Sequence, residues 1–469
     1  MHDLRISIHG CHTEVSDLKR SRIDSFILNQ ENERLCALTG SSCPPLSRQL
    51  LDTLQLNKLN DLLAREKERD GFYRNLPEHL NSLADLSFLP FTTEADLAAH
   101  APGLLLTSQS QIRRVISEAT SGTRSLFSDA TSGTRPLFSD ATSGTRPLFS
   151  DATSGTTSAP KRVFYTEGDL ENTIRLYEAG LGELIFPGSV TLIGFPSSHA
   201  FGLGELISEA IRRLGGVPLP AGPLLTYGEY QELLETKHPD TFVGMPTQLL
   251  SILRACKPSS LKRALISGDA CPASVISACE ALLGTRLFPH YGSREMGMAG
   301  AITCPAHEGM HLRENDIIAE IVGPDGTVLP DGQEGELVIT TIGMEALPLI
   351  RYKTGDITRI LSGYCPCGSV VKRLGAVHRR ADMQELDEIL FSFPELVDYR
   401  AALQAPGVLH LDILTQGFLD EGAIRAALQT SRLPAFEQVV VSLRPCTLAD
   451  RALYASKRVI LDEIPAQKA

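Results

Sequence analysis

Between residues 190 and 288 the chain alternates short apolar runs with helix-patterned ones, and no other feature narrows its fold so far. Residues 190–195, 241–243, 264–266 and 287–288 read as strands, with helices between them near 203–214, 247–255 and 273–283. Such alternation predicts a mainly parallel sheet covered by helices. From Ile317 the pattern changes to short strands punctuated by Pro324-Asp325-Gly326 and Pro330-Asp331-Gly332, which predicts an antiparallel sheet or barrel. Leucines at helical spacing over 46–66 predict an amphipathic helix with its exit at Phe72-Tyr73-Arg74-Asn75-Leu76, and a short α+β unit follows Met383.

Ahead of the alternating region lies Thr153-Ser154-Gly155-Thr156-Thr157-Ser158-Ala159-Pro160-Lys161, followed by the strand-like Arg162-Val163-Phe164-Tyr165-Thr166. This composition makes a phosphate cradle. The glycine lets backbone N–H groups approach phosphate oxygens, the hydroxyls add donors, and Lys161 supplies a mobile positive charge. No GxxxxGK[ST] string occurs, so it is not a Walker loop. Three tandem eleven-residue units precede it, ATSGTRSLFSD from Ala119 and ATSGTRPLFSD from Ala130 and again from Ala141; a fourth start at Ala152 alone runs on to the lysine. That period is far below the roughly 20–50 residues of a solenoid unit, and its Gly, Pro and Ser content breaks any helix. Residues 119–151 therefore read as a duplicated loop.

A chain of 469 residues divides into two or more domains, and an apolar fraction of 42% with 21% charged residues describes a globular protein. The net charge of −12 argues against general nucleic-acid binding, which needs basic surface. No apolar run approaches a membrane span. The segment MHDLRISIHGCHTE has no signal-peptide core, which makes cytoplasmic residence the expectation. Ten cysteines then read as thiols or metal ligands rather than as a disulfide framework.

Two further clusters carry chemistry. His290-Tyr291-Gly292-Ser293-Arg294-Glu295 follows the strand at 287–288 and so lies at a strand's carboxyl end, where open α/β sheets bind ligands. Glu295 is there a candidate ligand for Mg²⁺, since an ion bridging ATP phosphates takes only one or two protein carboxylates. Arg351-Tyr352-Lys353-Thr354-Gly355-Asp356 puts an aspartate after a tight Thr-Gly turn, where its carboxylate can accept both ribose hydroxyls. Either cluster alone is equally a surface turn; their order along the chain carries the weight.

That order, TSGTTxxPK, a PxxHxxG-like run over 196–202, YGxxE, YKTGD and then RRAD, resembles the adenylate-forming superfamily of acyl-CoA synthetases, and within it the phenylacetate-CoA ligase and coenzyme F390 synthetase branch. Marks of that branch are Gly71-Phe72-Tyr73-Arg74, Leu89-Pro90-Phe91-Thr92-Thr93, Leu347-Pro348-Leu349-Ile350-Arg351-Tyr352 and Cys365-Pro366-Cys367-Gly368. The resemblance runs from about Leu56 to the end, interrupted by the repeat. It implies an α/β fold of adenylate-forming architecture: a large body with a β-rich subdomain over 1–380, carrying the insertion at 119–151, and a small α+β domain over 381–469 that reorients between half-reactions. It also implies an ATP-dependent carboxylate–CoA ligase. A substrate carboxylate, aryl by resemblance, attacks the α-phosphate of ATP to give acyl-AMP and pyrophosphate, and a thiol, usually coenzyme A, attacks the activated carbonyl.

Carried over residue by residue, Thr153, Ser154, Gly155, Thr156, Thr157 and Lys161 match the phosphate loop, and Gly268, Asp269 and Ala270 the adenine-side segment. Tyr291 and Gly292 would pack on adenine or the acyl group, Glu295 bind Mg²⁺, Asp356 hold the ribose with Arg380 beside it, and Asp382 act as hinge. His199 falls beside the acyl pocket. Separately, Cys365 and Cys367 in a turn, with Cys304 and either His307 or His311, would complete a tetrahedral Zn²⁺ site with no open position, hence structural. The resemblance favours His311.

The chain also departs from the family pattern. Ser158 and Arg379 stand in place of glycines, and Arg294 in place of Ser or Thr. A glycine-bearing hairpin that helps shape the family's thiol tunnel is missing after Met383. Aligned on Arg458-Val459-Ile460, Ala455 takes the place of the family's adenylation lysine, with Lys457 two residues later as its candidate replacement. These departures keep two rivals in view: transfer to a carrier protein or amine instead of coenzyme A, and a catalytically impaired nucleotide- or acid-binding protein. Oligomeric state stays open, a homodimer included.

Overall fold

The computed structural model describes residues 21–40, 45–118, 161–197, 202–379, 382–405, 407–431, 433, 436–453 and 461–462. Strands Val190–Ile193, Thr241–Gly244, Arg263–Ile266 and Phe288–Tyr291 form where the apolar runs predict them, with Val217–Pro220 added at the edge. These five run parallel. Every residue of Thr241–Gly244 is buried, as a strand covered on both faces requires. The intervening helices are Leu203–Arg213, Pro246–Cys256 and Ala273–Leu283. Pro246 opens its helix at a position where a missing N–H costs nothing.

Beyond Phe288–Tyr291 the chain turns back on itself. Ala301–Thr303, Met310–Leu312 and Arg373–Leu374 extend the same sheet antiparallel to eight strands. A second sheet, antiparallel as predicted, joins Ile317–Val322, Gly335–Thr341, Tyr352–Thr358 and His378–Arg379. Within it, Thr354-Gly355-Asp356 is not the expected tight turn but a bulge inside a strand. Register passes from Val338↔Lys353 to Glu336↔Ile357, so one strand advances four residues while its partner advances two. Gly355 takes up the excess at φ 73°, in the left-handed region.

The leucine-patterned helix is Arg48–Lys67, and its buried face is only partly apolar. Gln55 donates to the carbonyls of Glu314 and Ile317 at 2.8 and 3.1 Å, and Lys58 pairs with Glu31 and, at 3.2 Å, with Asp316. Sequence reasoning missed the helix before it, Arg22–Gln30, which is capped by Ser21 and sends Ile23, Phe26 and Ile27 into the main core.

The carboxyl-terminal unit begins with helix Asp382–Leu390, separated from strand His378–Arg379 by residues 380–381 alone. Strands Leu396–Ala405, Val408–Thr415, Gln438–Pro445 and Leu461–Asp462 form its mixed sheet. Its apolar residues Leu386, Leu390, Phe391 and Leu396 fall in one buried cluster with Leu249, Leu250, Leu253 and Val275 of helices Pro246–Cys256 and Ala273–Leu283. Polar contacts reinforce that seam. Arg254, 5% exposed, donates to the carbonyls of Phe391, at 3.0 Å, and Leu396; Ser251 donates to the Val397 carbonyl at 3.0 Å. The Glu388 carboxylate accepts from the Ser274 N–H at 3.1 Å, in the first turn of helix Ala273–Leu283, where an anion also suits the helix dipole. Burial pulls the Arg254 guanidinium down to about 10.

Candidate active site and metal centre

Strands Arg263–Ile266 and Phe288–Tyr291 are parallel neighbours, so the segments leaving their carboxyl ends lie side by side. Gly268 sits at φ 85°, and a Cβ there would lie 2.9 Å from the Phe195 ring, so that position requires glycine. Asp269 accepts from the Ala270 N–H at 2.8 Å, which folds the segment tightly. Between the two strand ends, the Ser267 hydroxyl and Nδ1 of His290 share a hydrogen bond of 2.7 Å. The His290 ring is buried against Tyr177, with ring centres 4.8 Å apart. Burial, and then the nearby Arg313 charge, push its pKa down to about 3, so this histidine is a neutral strut at physiological pH.

The next residue reaches the second sheet. Tyr291 Oη donates to Asp356 Oδ2 at 2.6 Å, and Tyr352 Oη donates to Glu295 Oε1 at 3.2 Å. Asp356 emerges from the bulge, a device that re-aims a side chain out of a regular strand. Gly292 is needed for close approach, because a Cβ would stand 2.7 Å from the Met298 carbonyl oxygen. Tyr165, fully buried at the end of strand Lys161–Tyr165, donates to the Arg294 carbonyl at 2.7 Å. The strand that leaves the candidate phosphate loop is therefore tied to the turn carrying Glu295.

The structure thus brings Tyr291, Glu295, Tyr352 and Asp356 together: two buried carboxylates, each oriented by a tyrosine hydroxyl, beside the carboxyl ends of parallel strands. Such a pair can take a vicinal diol and a divalent cation. Sequence reasoning missed Tyr352 as a functional side chain, although it lies inside the Arg351–Asp356 motif. Thr153, Ser154, Gly155, Thr156, Thr157, His199, Arg380, Ala455 and Lys457 lie outside the described residues, as does the repeat at 119–151. Lys161 is placed through its backbone, as the strand partner of Glu118.

Cys304, His311, Cys365 and Cys367 form a second cluster, with all four ligand atoms within 4.8 Å of one another. Cys304 Sγ lies 3.6 Å from Cys365 Sγ, and Cys367 Sγ 3.4 Å from Nε2 of His311. A tetrahedral ion with bonds of about 2.3 Å to sulfur and about 2.0 Å to nitrogen holds its ligand atoms about 3.5–3.8 Å apart, so the four suit one metal ion. Pairing of Arg373 with His311 draws the cysteine turn onto strand Met310–Leu312. His307 takes no part; its ring packs on Phe288, centres 4.5 Å apart. Hydrogen bonding from Cys367 pulls the Cys304 thiol down, while Cys367, as donor, is pushed up, so a thiolate is already favoured at Cys304.

Comparisons with known proteins bear on the first cluster. The phenylacetate-coenzyme A ligase of Thermus thermophilus is 26% identical over 443 residues, covering 89% of this chain and 90% of the relative. The Escherichia coli phenylacetate-coenzyme A ligase is 25% identical over 423 residues, covering 84% and 87%. Among solved structures, 2-hydroxyisobutyryl-CoA ligase in the postadenylation state superposes with a TM-score of 0.65 at 19% identity, covering 88% of this chain and 89% of that one, a likeness of fold. The family model of AMP-binding enzymes matches residues 83–345, more than half of the 469, and runs through the candidate phosphate loop, the Gly268–Ala270 segment and the Tyr291–Glu295 turn. On a match of that extent, the chain belongs to the AMP-binding enzyme family.

Proposed function

We infer that this chain is an ATP-dependent, AMP-forming carboxylate–CoA ligase that works through an acyl-adenylate. The observation that carries this reading is the pairing of Tyr291 with Asp356 and of Tyr352 with Glu295 at the strand ends of an AMP-binding fold. Relatives matched over most of their length are phenylacetate-coenzyme A ligases, which supports an aryl acid as substrate. Asp356 would accept the ribose hydroxyls and Glu295 take the Mg²⁺ that accompanies ATP. Thr153–Thr157 with Lys161 would cradle the phosphates, Gly268–Ala270 flank adenine, His199 stand by the acid, Arg380 by the ribose, and Lys457 supply the adenylation charge. A carboxylate oxygen bonds to the α-phosphorus as pyrophosphate leaves; the coenzyme A sulfur then bonds to the acyl carbon as AMP leaves. The site's work is charge placement rather than covalent chemistry by the protein.

Three thiolates and one imidazole, soft ligands in a closed tetrahedral set, support zinc in a structural role for the second cluster. The division into 1–380 and 381–469 is proposed with it. A cytoplasmic setting suits cysteines that stand as thiols. Sedimentation would decide between monomer and homodimer.

A second reading, transfer to a carrier protein or amine, is favoured by one observation: helix Asp382–Leu390 begins where the resemblance calls for a hairpin. Mg-ATP-dependent pyrophosphate release across aryl and aliphatic acids, with and without coenzyme A and followed by product mass, tests both. Acyl-CoA supports the ligase, acyl-AMP without thioester supports the other acceptor, and ATP binding without pyrophosphate release refutes both in favour of an impaired binding protein.

A further inference from the structure

The proposed zinc site has a neighbour that the family motifs do not include. His311 is almost fully buried, its Nε2 faces Cys367 at 3.4 Å, and its Nδ1 is buried with no hydrogen-bond partner. A metal-bound imidazole ordinarily donates its other N–H to a carboxylate, carbonyl or water, which fixes the ring and raises its basicity. A buried carboxylate that reaches the cysteine turn is that of Asp24, on helix Arg22–Gln30, which makes no hydrogen bond to Nδ1 here but whose charge interacts with that of His311. Ser369, two residues beyond Cys367, donates its hydroxyl to Asp24 Oδ1, so the cysteine turn itself holds this carboxylate in place. Ser21 caps the same helix one turn earlier.

We propose that Asp24 is the outer carboxylate of the metal centre: with zinc on Nε2 of His311, the Nδ1–H of that ring donates to Asp24, and the ion thereby fastens helix Arg22–Gln30 to the body. The proposal rests on the zinc reading. Because coupling between two events is reciprocal, it also requires that removing the metal loosen the helix. Asp24 is a positioning residue: it touches neither ion nor substrate, and acts through the ring.

The test measures zinc, not catalysis. Reduced full-length protein, stripped and reloaded, is titrated against a chromogenic chelator as wild type, Asp24→Asn, Ser369→Ala and Ile27→Ala. Ile27 is fully buried on the same helix and serves as the packing control. Asp24→Asn should weaken zinc binding by about 10- to 100-fold, the range found for outer-shell partners. Ser369→Ala should weaken it in the same direction, and Ile27→Ala, which loosens the helix without touching the carboxylate, should weaken it far less. In the wild type, chelation should speed amide exchange over 22–30 more than over the central sheet. Equal zinc affinity in wild type and Asp24→Asn would overturn the proposal, as would an equal loss in Ile27→Ala, which would make the effect one of packing. Should Asp24→Asn not fold, an unchanged affinity in Ser369→Ala together with exchange over 22–30 that ignores chelation overturns it. Failure of the wild type to bind one zinc per chain would remove the zinc reading itself, and this proposal with it.

Discussion

Replacing Tyr291 by phenylalanine removes one oxygen atom and little else, and the structure says what that oxygen does. Its hydroxyl donates to Asp356 at 2.6 Å, a distance typical of a bond to an ionised carboxylate, and Asp356 is almost fully buried. A hydrogen bond to a charged group contributes about 1.5–3 kcal/mol. If Asp356 must be held in one orientation to receive the ribose, that loss falls on nucleotide use. At 1.36 kcal/mol per factor of ten, kcat/KM for ATP should fall by about 10- to 150-fold. Pyrophosphate release at varied Mg-ATP measures it, with Asp356→Asn and the double variant closing a thermodynamic cycle. Because both partners serve one function, the double variant should lose little more than Asp356→Asn alone. The reasoning is refuted if Tyr291→Phe lowers thermal stability while leaving kcat/KM for ATP untouched, since the bond would then hold the sheets together and nothing more.

Gly292→Ala places a Cβ 2.7 Å from the Met298 carbonyl, a backbone atom that cannot swing away, so a loss of about 1–3 kcal/mol in unfolding free energy and a slower adenylation step are expected. For His290 the folded-state pKa is about 3 against an unfolded value near 6.5, so the unfolded chain binds the extra proton between those values. Its stabilising contribution is therefore complete above about pH 6.5 and is lost as pH falls toward 3, up to about 5 kcal/mol; denaturant unfolding of His290→Asn should show a flatter acid limb than the wild type. Deleting 119–151 should leave ATP affinity unchanged; lost binding would mean the repeat takes part.

The parts of this fold that could be read from the sequence are those where one local pattern decides the outcome. Thr241–Gly244 and Arg263–Ile266 are apolar because both faces are covered, so their strand character needs no partner to be seen. Asp356 was legible as a candidate but its setting was not: a bulge is a mismatch of register between two strands, which neither strand records alone. The Tyr352–Glu295 bond joins residues far apart in sequence and leaves no periodic trace. Between His307 and His311 the resemblance favoured the latter, and the pairing that sets His311 opposite Arg373 supplies the physical reason. Helix Arg22–Gln30 did carry a signal, Ile23, Phe26 and Ile27 at helical spacing behind a serine cap, but so short a run with polar neighbours gives little to separate it from a loop.

The antiparallel pair Arg114–Glu118 and Lys161–Tyr165 bears on how this gene can vary. Register fixes Glu118 opposite Lys161, so whatever joins them spans 42 residues and returns to the same point. Without the 33 residues at 119–151 the connection would span 9. The entropic cost of closing a connection grows with the logarithm of its length, and going from the shorter to the longer costs about 1.4 kcal/mol. Tyr165 meets the Arg294 carbonyl with the longer connection in place. A further unit added by replication slippage would cost less than the first did. Copy number at this locus is thus close to neutral for the fold, and natural isolates should differ there by whole multiples of the unit while keeping both strands and the residues that follow them.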